Sequence, residues 1–137
     1  MSRVFLRFAT LAVLAYAMAG CGGGGSDTPA VTAPSPVLPA PAVLQGTWVT
    51  TLAASGEQVT LTLGATSYQI TRGANQAAGM IGVSGDRIDF SNSSACSGTG
   101  AYRWTVTGTA LAITAVTPDV CPGRSAVLAG FTYAKSG

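Results

Sequence analysis

From Gly46 onward the chain alternates apolar and polar residues in short runs, broken by Gly, Asn, Ser and Asp. Val59, Leu61 and Leu63 fall on one side of an extended chain and Thr60 and Thr62 on the other. Ile88 and Phe90 flank the polar Asp89, while Tyr102, Trp104 and Val106 alternate with Arg103 and Thr105. A two-residue period of this kind predicts strands with one buried and one solvated face. We place them over Thr47–Ala53, Gln58–Gly64, Ser67–Arg72, Ala78–Val83, Arg87–Ser91, Ala101–Thr107, Ala110–Val116 and Ser125–Ala134. Turn-forming residues occupy the gaps, among them Ser55-Gly56, Gly73-Ala74-Asn75, Gly85-Asp86, Gly98 to Gly100 and Gly108-Thr109. No stretch carries a clear 3.6-residue period. Eight short strands joined by tight turns predict an all-β domain, a small eight-stranded up-and-down antiparallel barrel, in which closure removes the two sticky edges. A two-sheet β-sandwich is the alternative.

The N-terminal region has a different pattern. Arg3 and Arg7 precede an unbroken run of apolar and small residues from Phe8 to Ala19, and Cys21 follows. That run is too short for the roughly 20 residues a membrane-spanning helix needs, so it reads as a secretory leader over residues 1–20. Met18-Ala19-Gly20-Cys21 resembles the lipobox of bacterial lipoproteins, departing at Met18, where leucine is usual. The resemblance implies cleavage before Cys21 and a diacylglycerol on its thiol. Together with a further acyl chain (palmitate or similar) on the new amino group, it would give stable anchoring. Gly22 is not the aspartate associated with inner-membrane retention, so the outer membrane is implied, with the domain facing the periplasm or the surface. Residues 21–43 follow as a lipidated N-terminus and tether. Four glycines supply flexibility, and Pro29, Pro34, Pro36, Pro39 and Pro41 favour extended polyproline-like chain. The barrel domain is expected over 44–137, small enough for a disulfide to matter to its stability.

Charge and residue types narrow the chemistry. The formal charge is +2, but Arg3 and Arg7 belong to the leader. Beyond it Arg72, Arg87, Arg103, Arg124 and Lys135 balance Asp27, Glu57, Asp86, Asp89 and Asp119. No basic stripe is left to neutralise phosphates, which argues against nucleic acid as a partner. There is no histidine, which removes the commonest general base, the commonest metal ligand and any Ser-His or Cys-His pairing. No enzymatic activity, metal or cofactor is expected. Asp86 and Asp89 are close in sequence, yet one lies in a turn and the other on an outer face, so a shared catalytic pocket is not expected. With Cys21 lipidated, Cys96 and Cys121 remain, an even number in an oxidising compartment, and a disulfide between them is expected.

Gly46-Thr47-Trp48 opening the first of eight meandering strands resembles the start of a calycin, the superfamily of lipocalins, fatty-acid-binding proteins, avidins and small bacterial protease inhibitors. The resemblance implies that Trp48 closes one end of the barrel against a basic residue near the last strand: Lys135 first by position, Arg124 second. Tyr68, Tyr102 and Trp104 are candidates to line a ligand cavity, or alternatively to fill the core. The chain is considerably shorter than a lipocalin, and small eight-stranded barrels can be filled by their own side chains.

The functional expectation is a membrane-anchored envelope lipoprotein presenting a small barrel for protein interaction or a structural role. A calycin-like module binding a small apolar ligand is the alternative, and inhibition of a periplasmic protease a third reading. The first two differ in one physical property, since a ligand-binding barrel needs a connected cavity of about 300 Å³ or more.

Overall fold

The computed structural model describes residues 37–137. The leader, the Met18–Cys21 motif and the tether up to Pro36 lie outside the described residues. Eight antiparallel strands follow one another in chain order: β1 (Gly46–Thr51), β2 (Gln58–Leu63), β3 (Ser67–Arg72), β4 (Asn75–Ser84), β5 (Arg87–Ser91), β6 (Gly100–Thr107), β7 (Ala110–Ala115) and β8 (Phe131–Ser136). Each pairs with the next, and β8 pairs back onto β1, so the sheet is a closed barrel rather than a sandwich. The seam sets Thr47 opposite Ser136, Trp48 opposite Lys135 and Val49 opposite Ala134. The Thr50 hydroxyl adds a bond to the Thr132 carbonyl (2.9 Å).

Alternation builds the core. Val59, Leu61 and Leu63 are buried, as are Tyr68, Ile70, Ile88, Phe90, Tyr102, Leu111, Ile113 and Tyr133. Removing this apolar surface from water supplies most of the drive to close the sheet. Two-residue turns link β3 to β4, β4 to β5 and β6 to β7, each opening on a glycine; Gly73 (φ +54°) is the one on the rim of the cleft described below.

A helix interrupts the strand expected over Ser125–Ala134. The chain forms α1 (Pro122–Leu128) there, and the last strand begins only at Phe131. Its boundaries obey local rules: Pro122 takes the first helical turn, where its missing N–H costs nothing, and Gly130 follows the C-cap with φ +79°. The buried Arg124, Val127 and Leu128 share one helical face. The Tyr133 hydroxyl donates to the Val127 carbonyl, fastening the end of the helix to β8.

The meander gives the barrel two dissimilar ends. At one lie the short turns between β2 and β3, β4 and β5, and β6 and β7, together with residues 37–45. Although read from the sequence as tether, residues 37–43 lie on the barrel here. Leu38 bridges Val83 through two 2.9 Å backbone bonds, the Ala40 amide donates to the Ala65 carbonyl (2.7 Å), and Ala40 is buried. This strap occupies the edge of β4 below Met80, where β3 no longer pairs with it. At the other end sit the longer connections: the β1–β2 loop, the β5–β6 loop, and the β7–β8 connection containing α1.

Candidate functional site

Trp48 lies at the strap end, fully buried, and its indole N–H donates to the Leu44 carbonyl (2.9 Å). The Lys135 ammonium stands 5.1 Å from the centroid of the indole, a cation–π arrangement across the seam. Arg124, the second candidate for this contact, is at the opposite end of the barrel, because the residue lies on α1 and not on the last strand.

The long-loop end carries the site. A cleft of about 550 Å³ opens there. On one side it is bounded by the β3–β4 hairpin, through Ile70, Arg72 and Ala77; on the other by α1 and the Cys96–Cys121 disulfide. That bond spans 25 residues, joining the β5–β6 loop to the N-cap of α1. It therefore secures the helical wall of the cleft to the barrel. Glu57 and Arg72 pair at the rim (2.6 Å) and are partly exposed.

Beneath the cleft is a buried polar cluster that sequence reasoning missed. Arg124 is 4% exposed and grips Asp119 through two bonds, Nε to Oδ2 (2.7 Å) and Nη2 to Oδ1 (2.8 Å). Nη2 also donates to the Gly98 carbonyl (3.2 Å). The Tyr102 hydroxyl donates to Asp119 Oδ2, and the Cys121 amide donates to Oδ1 (2.9 Å). With so many donors, led by Arg124, the Asp119 carboxyl is held down at about 2 despite its burial. The same burial, reinforced by Asp119, pushes the Tyr102 phenol well above its ordinary value. The cluster also needs space beside β6: a Cβ on Gly100 would stand 2.3 Å from Asp119 Oδ2.

The three aromatic lining candidates separate. Tyr68 lines the cleft. Tyr102 does not: it is fully buried, edge-on to Phe90 (5.5 Å), and its hydroxyl is engaged by Asp119. Nor does Trp104, which lies further along β6 toward the strap end, opposite Ile113 on β7. Side chains in the middle of the barrel pack on one another, as Phe90 does on Tyr68 and Tyr102, and the cleft lies at the end where the loops take over.

The remaining charges are ordinary surface pairs. Arg87 bonds Asp89 (2.9 Å) and Arg103 bonds Asp86, the latter pair more than half exposed; such contacts contribute little to stability. Among the described residues no group of three or more Cys, Asp or Glu converges as a metal site would require.

Two buried polar atoms at the cleft lack a hydrogen-bond partner: Tyr68 Oη and Arg124 Nη1. Every other donor of the Arg124 guanidinium that the cluster engages points toward Asp119 or Gly98. Chemically the site therefore combines the apolar Ile70, Ala77 and Val127 with the polar Arg72, Asn75 and Gln76 and two unused donors. No family model, no curated protein and no solved structure matches this chain.

Proposed function

We propose that the protein is an envelope lipoprotein whose barrel binds a small, largely apolar molecule in the cleft at its long-loop end. One observation carries this reading over a purely structural role: a cleft of about 550 Å³ exceeds the roughly 300 Å³ at which ligand pockets begin. Its construction supports the same conclusion. Apolar side chains beside polar ones and a disulfide-braced wall are common ingredients of a binding site. The lipobox-like Met18–Cys21 and the apolar leader support attachment of the module to the outer membrane. Among the described residues the strap, which begins at Val37, lies on the barrel at the end opposite the cleft.

Native mass spectrometry of the full-length protein, recovered from its own envelope, tests the reading. The expected result is a retained small molecule that is absent when Ala77→Trp fills the cleft from β4. A folded Ala77→Trp protein carrying the same adduct at the same occupancy would overturn it.

A further inference from the structure

Building on the cleft reading, we propose that the ligand is an uncharged molecule with one carbonyl-type oxygen, an ester, amide, lactone or ketone. Its oxygen accepts hydrogen bonds from Arg124 Nη1 and Tyr68 Oη while its hydrocarbon part lies against Ile70, Ala77 and Val127.

The two donors identify the acceptor. A buried N–H or O–H without a partner is costly, and few native groups are left so. Here two of them belong to residues that line one cleft. Neither is needed by the fold: Arg124 is held by Asp119 and Gly98 through its other nitrogens, and Tyr68 is held by its ring, edge-on to Phe90 at 4.9 Å. The cross-strand partner of Tyr68 is Gly79, where a Cβ would stand 2.6 Å from the ring. The absence of that Cβ leaves the ring room against β4.

Charge decides between a neutral oxygen and a carboxylate. The Arg124 charge is already matched by Asp119, whose side chain is wholly buried beside it, and Arg72 is matched by Glu57 at the rim. The site is thus polar but has no net positive charge. A carboxylate would leave water without meeting an unpaired cation, and its desolvation would go uncompensated. A neutral carbonyl loses far less hydration and still receives both bonds. Neither donor touches solvent in the free protein, so the oxygen reaches them by parting the side chains above. Ligand entry therefore moves the Tyr68 ring.

The test uses the full chain in a non-lipidated form (Cys21→Ser), with three probes of similar length: methyl octanoate, sodium octanoate and nonane. Calorimetric titration reads affinity, and NMR of the tyrosine ring reads entry. Methyl octanoate is expected to bind at least about tenfold more tightly than either of the others, and to shift the Tyr68 resonances. Tyr68→Phe should weaken the ester about five- to tenfold, the size of one lost hydrogen bond, and leave nonane unchanged. Its melting temperature should not fall, since the deleted hydroxyl has no partner. Octanoate binding as tightly as the ester, or a Tyr68→Phe protein that binds the ester undiminished, would overturn the carbonyl assignment while leaving the cleft reading intact. Failure of all three probes to bind would overturn both.

Discussion

The Lys135 ammonium stands over the face of Trp48, 5.1 Å from the ring centroid, and the two residues are register partners across the seam that closes the barrel. One contact thus joins the first strand to the last. The indole is sealed by Leu44 below, through its N–H, and by Lys135 above. Closure of the sheet and burial of its largest aromatic side chain are therefore one event.

Truncation of that ring should be severe. Trp48→Ala is expected to cost about 3–5 kcal/mol, the range for large buried aromatics, whereas Lys135→Met should cost about 0.5–1 kcal/mol, as for an exposed cation–π pair. Urea denaturation of the two variants measures both. A loss below 1 kcal/mol for Trp48→Ala would contradict its role at the seam.

Breaking the Cys96–Cys121 bond should loosen the cleft before the barrel. Its 25-residue span predicts a loss of about 3 kcal/mol in the chain-entropy model. Hydrogen exchange in the double serine variant should accelerate first in α1 and the β5–β6 loop, with β1, β2 and β8 still protected. Uniform acceleration across all strands would count against a local role.

Asp119 predicts an acid-sensitive lock on α1. Its pKa falls from an ordinary 3.8 to about 2 on folding, so its contribution is fully present above about pH 4 and disappears as pH drops through about 2. The shift corresponds to about 2 kcal/mol. Asp119→Asn should therefore be markedly less stable than wild type at pH 7, with the gap narrowing toward pH 2. Asp119→Ala, which leaves Arg124 buried without a counter-charge, should cost more, about 3–5 kcal/mol. Thermal melts from pH 7 to pH 2 test both; a pH-independent gap would show that the carboxylate charge is not what matters.

The anchor is expected to depend on one atom, the Cys21 sulfur. Cys21→Ser should abolish incorporation of a fatty-acid analogue and leave a precursor that retains its leader. Equal labelling of wild type and variant would rule out lipidation at this position.

Local sequence determined most of the barrel. Val59, Leu61 and Leu63, or Ile88 and Phe90, can bury one side of a strand only if the chain is extended, because a strand turns successive side chains to opposite faces. Glycines at the first position of tight turns then leave little choice but a meander. Where two readings have equal local support, only tertiary contacts decide. Ser125 to Ala134 is a short, mildly apolar segment that fits a strand, and Pro122 and Gly130 were the signals for a helix with a break after it. Helix α1 survives at seven residues because Cys96, Asp119 and Tyr133 hold it from outside, and a helix that short lacks the internal bonds to persist alone. Residues 37–43 carry the proline content of a linker, yet Leu38 finds an unpaired stretch of β4 that exists only once the barrel has formed. The cleft is still less legible. Tyr68 and Arg124 are far apart in the chain, with no periodicity relating them, and they line one cleft only because β3 and α1 both reach the same end of a closed sheet. Alternation records which side of a strand faces inward; which inward side chains meet, and where they leave space, depends on closure of the sheet.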